Sequence, residues 1–99
     1  MRTITRDAVD AFMRRKSFKR SNTQVVVHPT DAHLLLHEHL IATIDLLGNI
    51  MISNAGYQTN TTKERLNGIP SVSVVQKNFQ WYLNGTKWDG EWIIVHYTL

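Results

Sequence analysis

The chain has 99 residues, no cysteine, 42% hydrophobic residues and a formal net charge of +3. This length predicts one domain with a modest core, and the lack of cysteine excludes disulfides, a thiol nucleophile and cysteine-ligated metal sites. No apolar run approaches the roughly 20 residues that a membrane helix needs, and MRTITRDAVD lacks the apolar core of a signal peptide. We therefore expect a cytoplasmic protein without a membrane partner.

The first twenty residues predict an amphipathic helix from residue 5 to about 19. Thr5 is a suitable N-cap, and Asp7 follows where the helix dipole favours an anion. Four apolar residues form one stripe at helical spacing: Ala8, Val9, Phe12 and Met13. The segment holds seven basic residues against two acidic ones, an asymmetry typical of a surface for a polyanion or an acidic partner.

Between residues 23 and 53 the pattern changes to the alternation typical of strands. Thr23–His28 is rich in β-branched residues and ends at Pro29, which predicts an edge or the end of a sheet. Gly48-Asn49 is a hairpin signal. Further strands are predicted at residues 33–37, 40–46 and 50–53.

Residues 53–70 predict a short central helix. Thr61 and Glu64 have the spacing of a capping box. Gly68 is expected to end the helix in a left-handed conformation, and Pro70 prevents it from restarting. A helix of two turns is not stable alone in water, so packing against strands must hold it.

The remaining residues predict three strands, at 72–76, 79–83 and 91–97, with a second hairpin signal at Lys77-Asn78. No strand–helix–strand unit repeats at the spacing that a parallel sheet requires. The sequence therefore predicts a single small α+β domain over residues 1–99. Its sheet is mainly antiparallel and twisted, with an N-terminal amphipathic helix and a short central helix.

The aromatic residues divide into expected core and one candidate contact. Phe79, Trp81 and Trp92 lie on predicted strands, where we expect them to be buried. Trp88 follows Lys87 in a glycine-flanked tip, and exposed loop aromatics are frequent binding hot spots. The alternative is that Trp88 folds back over the sheet and covers the core.

Little in the sequence indicates catalysis. His37 and His39 have metal-ligand spacing and His33 could join them, but we favour exposed histidines beside a tight turn at Glu38. No Gly-x-Ser-x-Gly elbow and no glycine-rich phosphate loop occurs. We expect no enzyme, no catalytic residue, no cofactor and no metal; metal binding by the three histidines is the alternative.

Partner binding is the remaining role for the basic side chains and the tryptophan of the tip. The central helix adds a second basic pair, Lys63 and Arg65. The backbone N–H groups at the start of this helix could bind a phosphate, although we favour threonines that only cap the helix. The candidate partner-binding residues are Arg14, Arg15, Lys16, Lys19, Arg20, Lys63, Arg65, Lys87 and Trp88.

Several stretches together resemble small proteins of tailed bacteriophages and prophages: Leu40-Ile41-Ala42, ISNAGY at 52–57, TTKERLN at 61–67, and WYLNG at 81–85 with Trp88-Asp89-Gly90. The resemblance covers roughly residues 34 to 92 and does not include the N-terminal helix. It implies a phage or prophage protein expressed in the cytoplasm of a bacterial host. It assigns no activity and no catalytic residue.

These features together predict a small non-enzymatic phage accessory protein. We expect it to bind and modulate a host protein of transcription, replication or antiviral defence. The alternative is nucleic-acid binding through the basic N-terminal helix, which would depend strongly on salt. A homodimer formed through the strand edge at Thr23–His28 stays open, because exposed edges invite pairing.

Overall fold

The computed structural model describes residues 1–97. Within them, every strand pair is antiparallel, which confirms the predicted α+β class. The helices are α1 (Thr3–Met13) and α2 (Asn60–Asn67). The strands are β1 (Phe18–Arg20), β2 (Thr23–Val27), β3 (Asp31–Leu36), β4 (His39–Asp45), β5 (Ile50–Ile52), β6 (Val74–Lys77), β7 (Gln80–Leu83), β8 (Thr86–Lys87) and β9 (Ile93–His96).

The strands form two sheets. The larger has the order β1-β2-β3-β4-β5-β9, and the smaller has the order β6-β7-β8. After β5 the chain builds α2 and the whole small sheet before it returns as β9 at the end of the large sheet. The two edges of the large sheet are therefore β1 and β9.

The core lies between the large sheet and the two helices. Alternate residues of β3 are buried, as period-two patterning requires: Ala32, Leu34 and Leu36. Helix α1 packs on β1, β2 and β3, and α2 packs on β4 and β6. Trp81, from the small sheet, is fully buried in the same core, as the sequence predicts.

The N-terminal helix is shorter than predicted. It begins at Thr3, with Arg2 rather than Thr5 as its N-cap, and ends at Met13 rather than near residue 19. Phe18–Arg20 instead pairs with Thr23–Val25 as a strand. Backbone hydrogen bonds to β2 and the packing of Phe18 on the core outweigh the continued helix. This pairing also covers much of β2, so the prediction that Thr23–His28 is an open edge is wrong.

The start of α2 also differs from the prediction. Thr59, not Thr61, is the N-cap, and its hydroxyl accepts a hydrogen bond from the backbone N–H of Thr62 at 3.1 Å. Glu64 is consequently free of a capping role. Its carboxylate accepts a hydrogen bond from the hydroxyl of Thr5 and so joins α2 to α1.

Gly68 is the C-cap of α2, and glycine is needed there for a steric reason rather than a conformational one. Its φ of −72° is right-handed, so the predicted left-handed cap is wrong. A Cβ atom at this position would lie 2.6 Å from Cγ2 of Thr5 and 2.9 Å from Cγ2 of Val9. Glycine is therefore what allows α1 and the end of α2 to approach.

The hairpin between β6 and β7 turns one residue later than predicted. Its pairing joins Lys77 to Gln80, which leaves Asn78 and Phe79 as a two-residue loop with φ values of 50° and 66°. Both angles belong to a type I′ turn. Phe79 is consequently 92% exposed instead of buried.

Within residues 1–97 no helix is long and apolar enough to cross a membrane.

Candidate functional site

The basic N-terminal residues do not lie on a single helix. Arg14 ends α1 and donates to Asp10 at 3.0 Å, whereas Arg20 is on β1 and donates to Asp7 at 2.8 Å. Both pairs are exposed to solvent, where ion pairs contribute little. The expected basic surface is therefore divided between the end of α1 and strand β1. In each place an aspartate of α1 is paired with the arginine.

Two of the candidate basic residues are used within the fold. Arg15 donates from Nε to the backbone carbonyl of Asp45 at 3.0 Å. Arg65 is fully buried, and donates to the hydroxyls of Thr23 at 2.9 Å and Thr5 at 2.8 Å. Burial lowers the pKa of Arg65, and the carboxylate of Glu64 opposes that shift. The prediction that Arg65 offers a surface contact is therefore wrong, because its guanidinium joins α1, β2 and α2.

The candidate lysines lie at the surface. Lys63 donates from Nζ to Oε1 of Gln76 at 3.0 Å, and the same ammonium lies 5.9 Å from the ring centroid of Trp81. Lys16, Lys19 and Lys87 are exposed. Lys16 follows α1, Lys19 lies on β1 of the large sheet, and Lys87 lies on β8 of the small sheet.

Trp88 is buried, which contradicts its interpretation as an exposed anchor. Only 5% of the residue is exposed, and its ring centroid lies 6.1 Å from that of Trp81. Its indole N–H donates to the carbonyl of Glu91 at 2.9 Å. The tip therefore folds back over the core, which was the alternative left open by the sequence.

The histidines do not form a metal centre. His33 lies 2.9 Å from a carboxylate oxygen of Asp31, whereas His39 stacks on Tyr57 with 4.4 Å between ring centroids. His37 and Glu38 form the turn between β3 and β4, with φ values of 51° and 67°. In the part of the chain that the structure describes, no three potential ligands cluster around a common point.

One end of the large sheet has an exposed apolar strand that the fold itself leaves uncovered. Trp92, Ile93, Ile94 and Tyr97 are between 41% and 63% exposed, and we call these four residues the β9 edge. On one side β9 pairs with β5, with a register shift beside Val95; no strand within residues 1–97 pairs with its other side. No acidic residue, lysine or arginine occurs from Trp92 to Tyr97.

A shallow groove of about 250 Å³ adjoins the β9 edge on the face away from α1. Ile94 and Tyr97 line it on one side, and Asp31 and Asp45 on the other. The carboxylate of Asp45 accepts hydrogen bonds from the backbone N–H groups of Asn49 and Leu47, each at 2.9 Å. Hydrogen bonds from Asn49, above all, lower the pKa of Asp45, so a negative charge flanks the apolar surface at neutral pH.

Sequence reasoning predicted the last strand but not its exposure. Trp92–Val95 is a run of apolar residues without alternation, the pattern of a strand covered on both faces. The position of β9 at the end of the sheet follows from the route of the chain through α2 and the small sheet. A continuous apolar run is therefore the sequence signal that could have indicated an interface, in a strand whose neighbours in the sheet cannot be read from local patterns.

Comparison with known proteins identifies the chain's origin. The model of the family described as Kyanoviridae Gp96 protein matches residues 1–98. The match therefore includes the N-terminal helix, which the resemblance to phage proteins over residues 34–92 left out. Searches of curated proteins and of solved structures find no match. The chain belongs to the Kyanoviridae Gp96 family and is thus a phage protein.

Proposed function

We propose that this phage protein is a non-enzymatic accessory protein that binds a host protein, and that the β9 edge is its interface. The occupant is an extended segment of the partner that adds a strand beside β9. The observation that carries the proposal is the exposure of Trp92, Ile93, Ile94 and Tyr97 on a strand paired on one side only within residues 1–97.

Strand addition explains why the edge is both apolar and unpaired. An added strand forms backbone hydrogen bonds along the edge, and its side chains cover those that the sheet exposes. Complete burial of one large apolar side chain contributes about 1.5–3 kcal/mol. The β9 edge offers four such side chains, each already buried in part, which suits a binding surface better than a solvated strand.

Charge around the edge narrows the chemistry of the partner. The β9 edge has no formal charge of its own, and Asp31 and Asp45 line the groove beside Ile94 and Tyr97. A matching segment would carry apolar side chains along its length and a lysine or arginine that reaches the two carboxylates. We expect this segment in a host component of transcription, replication or antiviral defence, which the phage protein modulates in the host cytoplasm by occluding its surface.

The test compares two equally exposed β-branched residues. Ile94 is 50% exposed on β9, and Val75 is 52% exposed on β6 of the small sheet. The tagged wild type, Ile94→Lys and Val75→Lys would each capture proteins from nuclease-treated host lysate, and the captured partner would be titrated with each variant. We expect Ile94→Lys to weaken binding about tenfold or more, in the range of interface hot spots, and Val75→Lys to leave it unchanged.

Three results would contradict the proposal. Equal binding by both variants would exclude the β9 edge. Capture that disappears with nuclease would favour the nucleic-acid alternative instead. Sedimentation of the purified protein as a dimer that Ile94→Lys dissociates would show that a second copy of the chain, not a host protein, occupies the edge.

A further inference from the structure

A second surface feature, separate from the β9 edge, is a cavity of about 300 Å³ between the turn from β3 to β4 and the start of α2. We call it the His39 cavity. Its walls are mostly apolar, and the residues that matter for its chemistry are Leu36, His39, Ile41, Asn54, Tyr57 and Thr61. The lining contains no acidic residue, lysine or arginine, so its ligand need not be charged.

Two aromatic rings form the rim of this cavity. The imidazole of His39 and the phenol ring of Tyr57 are stacked, with 4.4 Å between centroids and 27° between planes. Both residues are exposed, so a planar group entering the cavity can stack on the outer face of the pair. Such stacking on tyrosine and histidine is how proteins commonly hold unpaired bases.

The turn that carries the rim is held in an unfavourable conformation. His37 and Glu38 both have positive φ, although neither is glycine or asparagine. Left-handed backbone costs roughly 1–2 kcal/mol for such a residue. The pairing of Leu36 with His39 across the turn imposes this geometry and so fixes where the His39 ring lies.

Polar groups inside the cavity are few and partly unused. Asn54 is only 3% exposed, and its side-chain oxygen accepts a hydrogen bond from the backbone N–H of Gly56 at 2.7 Å. Its side-chain nitrogen has no hydrogen-bond partner within residues 1–97, and neither does the hydroxyl of Thr61. An acceptor on a ligand would give this amide a hydrogen-bond partner.

We propose that the His39 cavity binds a nucleobase. The base stacks on the outer face of the His39–Tyr57 ring pair, lies against Leu36 and Ile41, and accepts a hydrogen bond from Asn54 through a ring nitrogen or carbonyl. The cavity is at the lower end of the range for ligand pockets, which suits one base or nucleoside rather than a dinucleotide. This site does not depend on the host-protein interface at β9.

Two sources could supply the base, a free nucleoside or nucleotide and a single strand of nucleic acid. Amide chemical shifts of the labelled protein would be followed by NMR during titration with adenosine, guanosine, cytidine and uridine, and then with a short single-stranded oligonucleotide. Shifts at the cavity with a nucleoside identify a free ligand. Shifts with the oligonucleotide alone identify a strand as the source.

The variants decide whether either response comes from the cavity. Tyr57→Ala should weaken binding about tenfold or more, since stacking on one aromatic side chain contributes about 1–3 kcal/mol. Phe79→Ala removes an aromatic side chain outside the cavity that is more exposed than Tyr57, 92% against 47%, and should have no effect. Equal affinity of Tyr57→Ala and wild type would overturn the proposal, as would unchanged cavity signals with every nucleoside and with the oligonucleotide.

Discussion

The two edge strands of the large sheet differ in charge and in the apolar surface that they expose. Strand β1 has three residues, two of which are Lys19 and Arg20, and short charged edges resist pairing with other chains. The β9 edge has four exposed apolar side chains between residues 92 and 97, on strand β9 and directly beside it, and no formal charge there. This difference supports the proposal that a partner covers the second edge.

The contrast extends to how each end is held. At the β1 end, the buried guanidinium of Arg65 binds the hydroxyl of Thr23. At the β9 end, the backbone carbonyl of Gly90 accepts from the N–H of Asn54 at 3.0 Å and from the hydroxyl of Ser53 at 3.0 Å. The β1 end is stabilised by a charged side chain in the core. The β9 end is stabilised by hydrogen bonds to Gly90, just before the exposed strand.

Replacing Arg65 should break the β1 end and have the largest effect. Arg65→Ala removes four hydrogen bonds from a charged donor, to Thr5, Thr23, Glu64 and Asn22. Hydrogen bonds to a charged group contribute about 1.5–3 kcal/mol each, and the hydroxyls of Thr5 and Thr23 stay buried. We expect the free energy of unfolding in urea to fall by about 3 kcal/mol or more. Arg14→Ala, which loses only an exposed pair, should cost less than about 1 kcal/mol. Similar losses for both would show that Arg65 does not hold this end.

Placing a charge on β9, as on β1, should make the protein less prone to aggregate. Ile94→Lys places a cation on the exposed strand, as Lys19 does on β1. We expect the concentration at which the purified protein aggregates on warming to rise several-fold, because lysine on an edge opposes strand pairing. Light scattering would measure it, with Val75→Lys as the variant of equal charge. If both variants gain equally, net charge rather than the β9 edge controls solubility.

The reverse exchange should have a smaller effect. Changing Lys19 and Arg20 to valine makes β1 apolar, and sedimentation velocity should then detect weak self-association. The effect is limited because a three-residue strand forms few backbone hydrogen bonds. The same change at Arg6 and Lys16, which lie on α1 and in the loop after it, should leave the protein monomeric. Association in both variants would point to lost charge alone.

The pH dependence of the turn beside the β9 edge should be the smallest effect. The pKa of Asp45 lies below its usual 3.8 in the folded chain because of hydrogen bonds from Asn49. Its contribution to stability is therefore complete above pH 3.8 and is lost as the pH falls through the lower folded value. Thermal melts of Asp45→Asn should lie below the wild type at pH 7, and the gap should close in acid. A gap independent of pH would exclude the carboxylate as its cause.

The class of the fold could be predicted from local patterns, because alternation and turn residues act over a few positions. Gly48, for example, has the positive φ that its place in the β4–β5 turn requires. Phe79 and Trp88 show the limit of such patterns. A turn displaced by one residue exposes Phe79, and a backbone hydrogen bond from Trp88 to Trp81 draws the tip onto the core. The register of the β6–β7 pairing decides the exposure of Phe79, and packing on Trp81 decides the burial of Trp88; residue types alone reveal neither.

The candidate surfaces were less predictable than the fold. The exposure of β9 depends on which strand ends the sheet, and the His39 cavity joins a turn at residue 37 with a helix that begins at Asn60. The prediction that Arg65 lies at the surface was wrong for a related reason. Sequence shows that Arg65 is charged but not that Thr5 and Thr23 converge on it from 60 and 42 residues away.

That convergence has a consequence for how the domain loses its structure. Because Arg65 binds residues from both α1 and β2, its hydrogen bonds exist only when distant parts of the chain are assembled. We expect α1 not to detach while the rest persists, because its departure would break the hydrogen bond between Arg65 and Thr5 and expose the core that α1 covers. Amide protons of α1, β2 and α2 should then exchange with solvent through one common opening, and truncation of the first thirteen residues should abolish the whole domain rather than trim it.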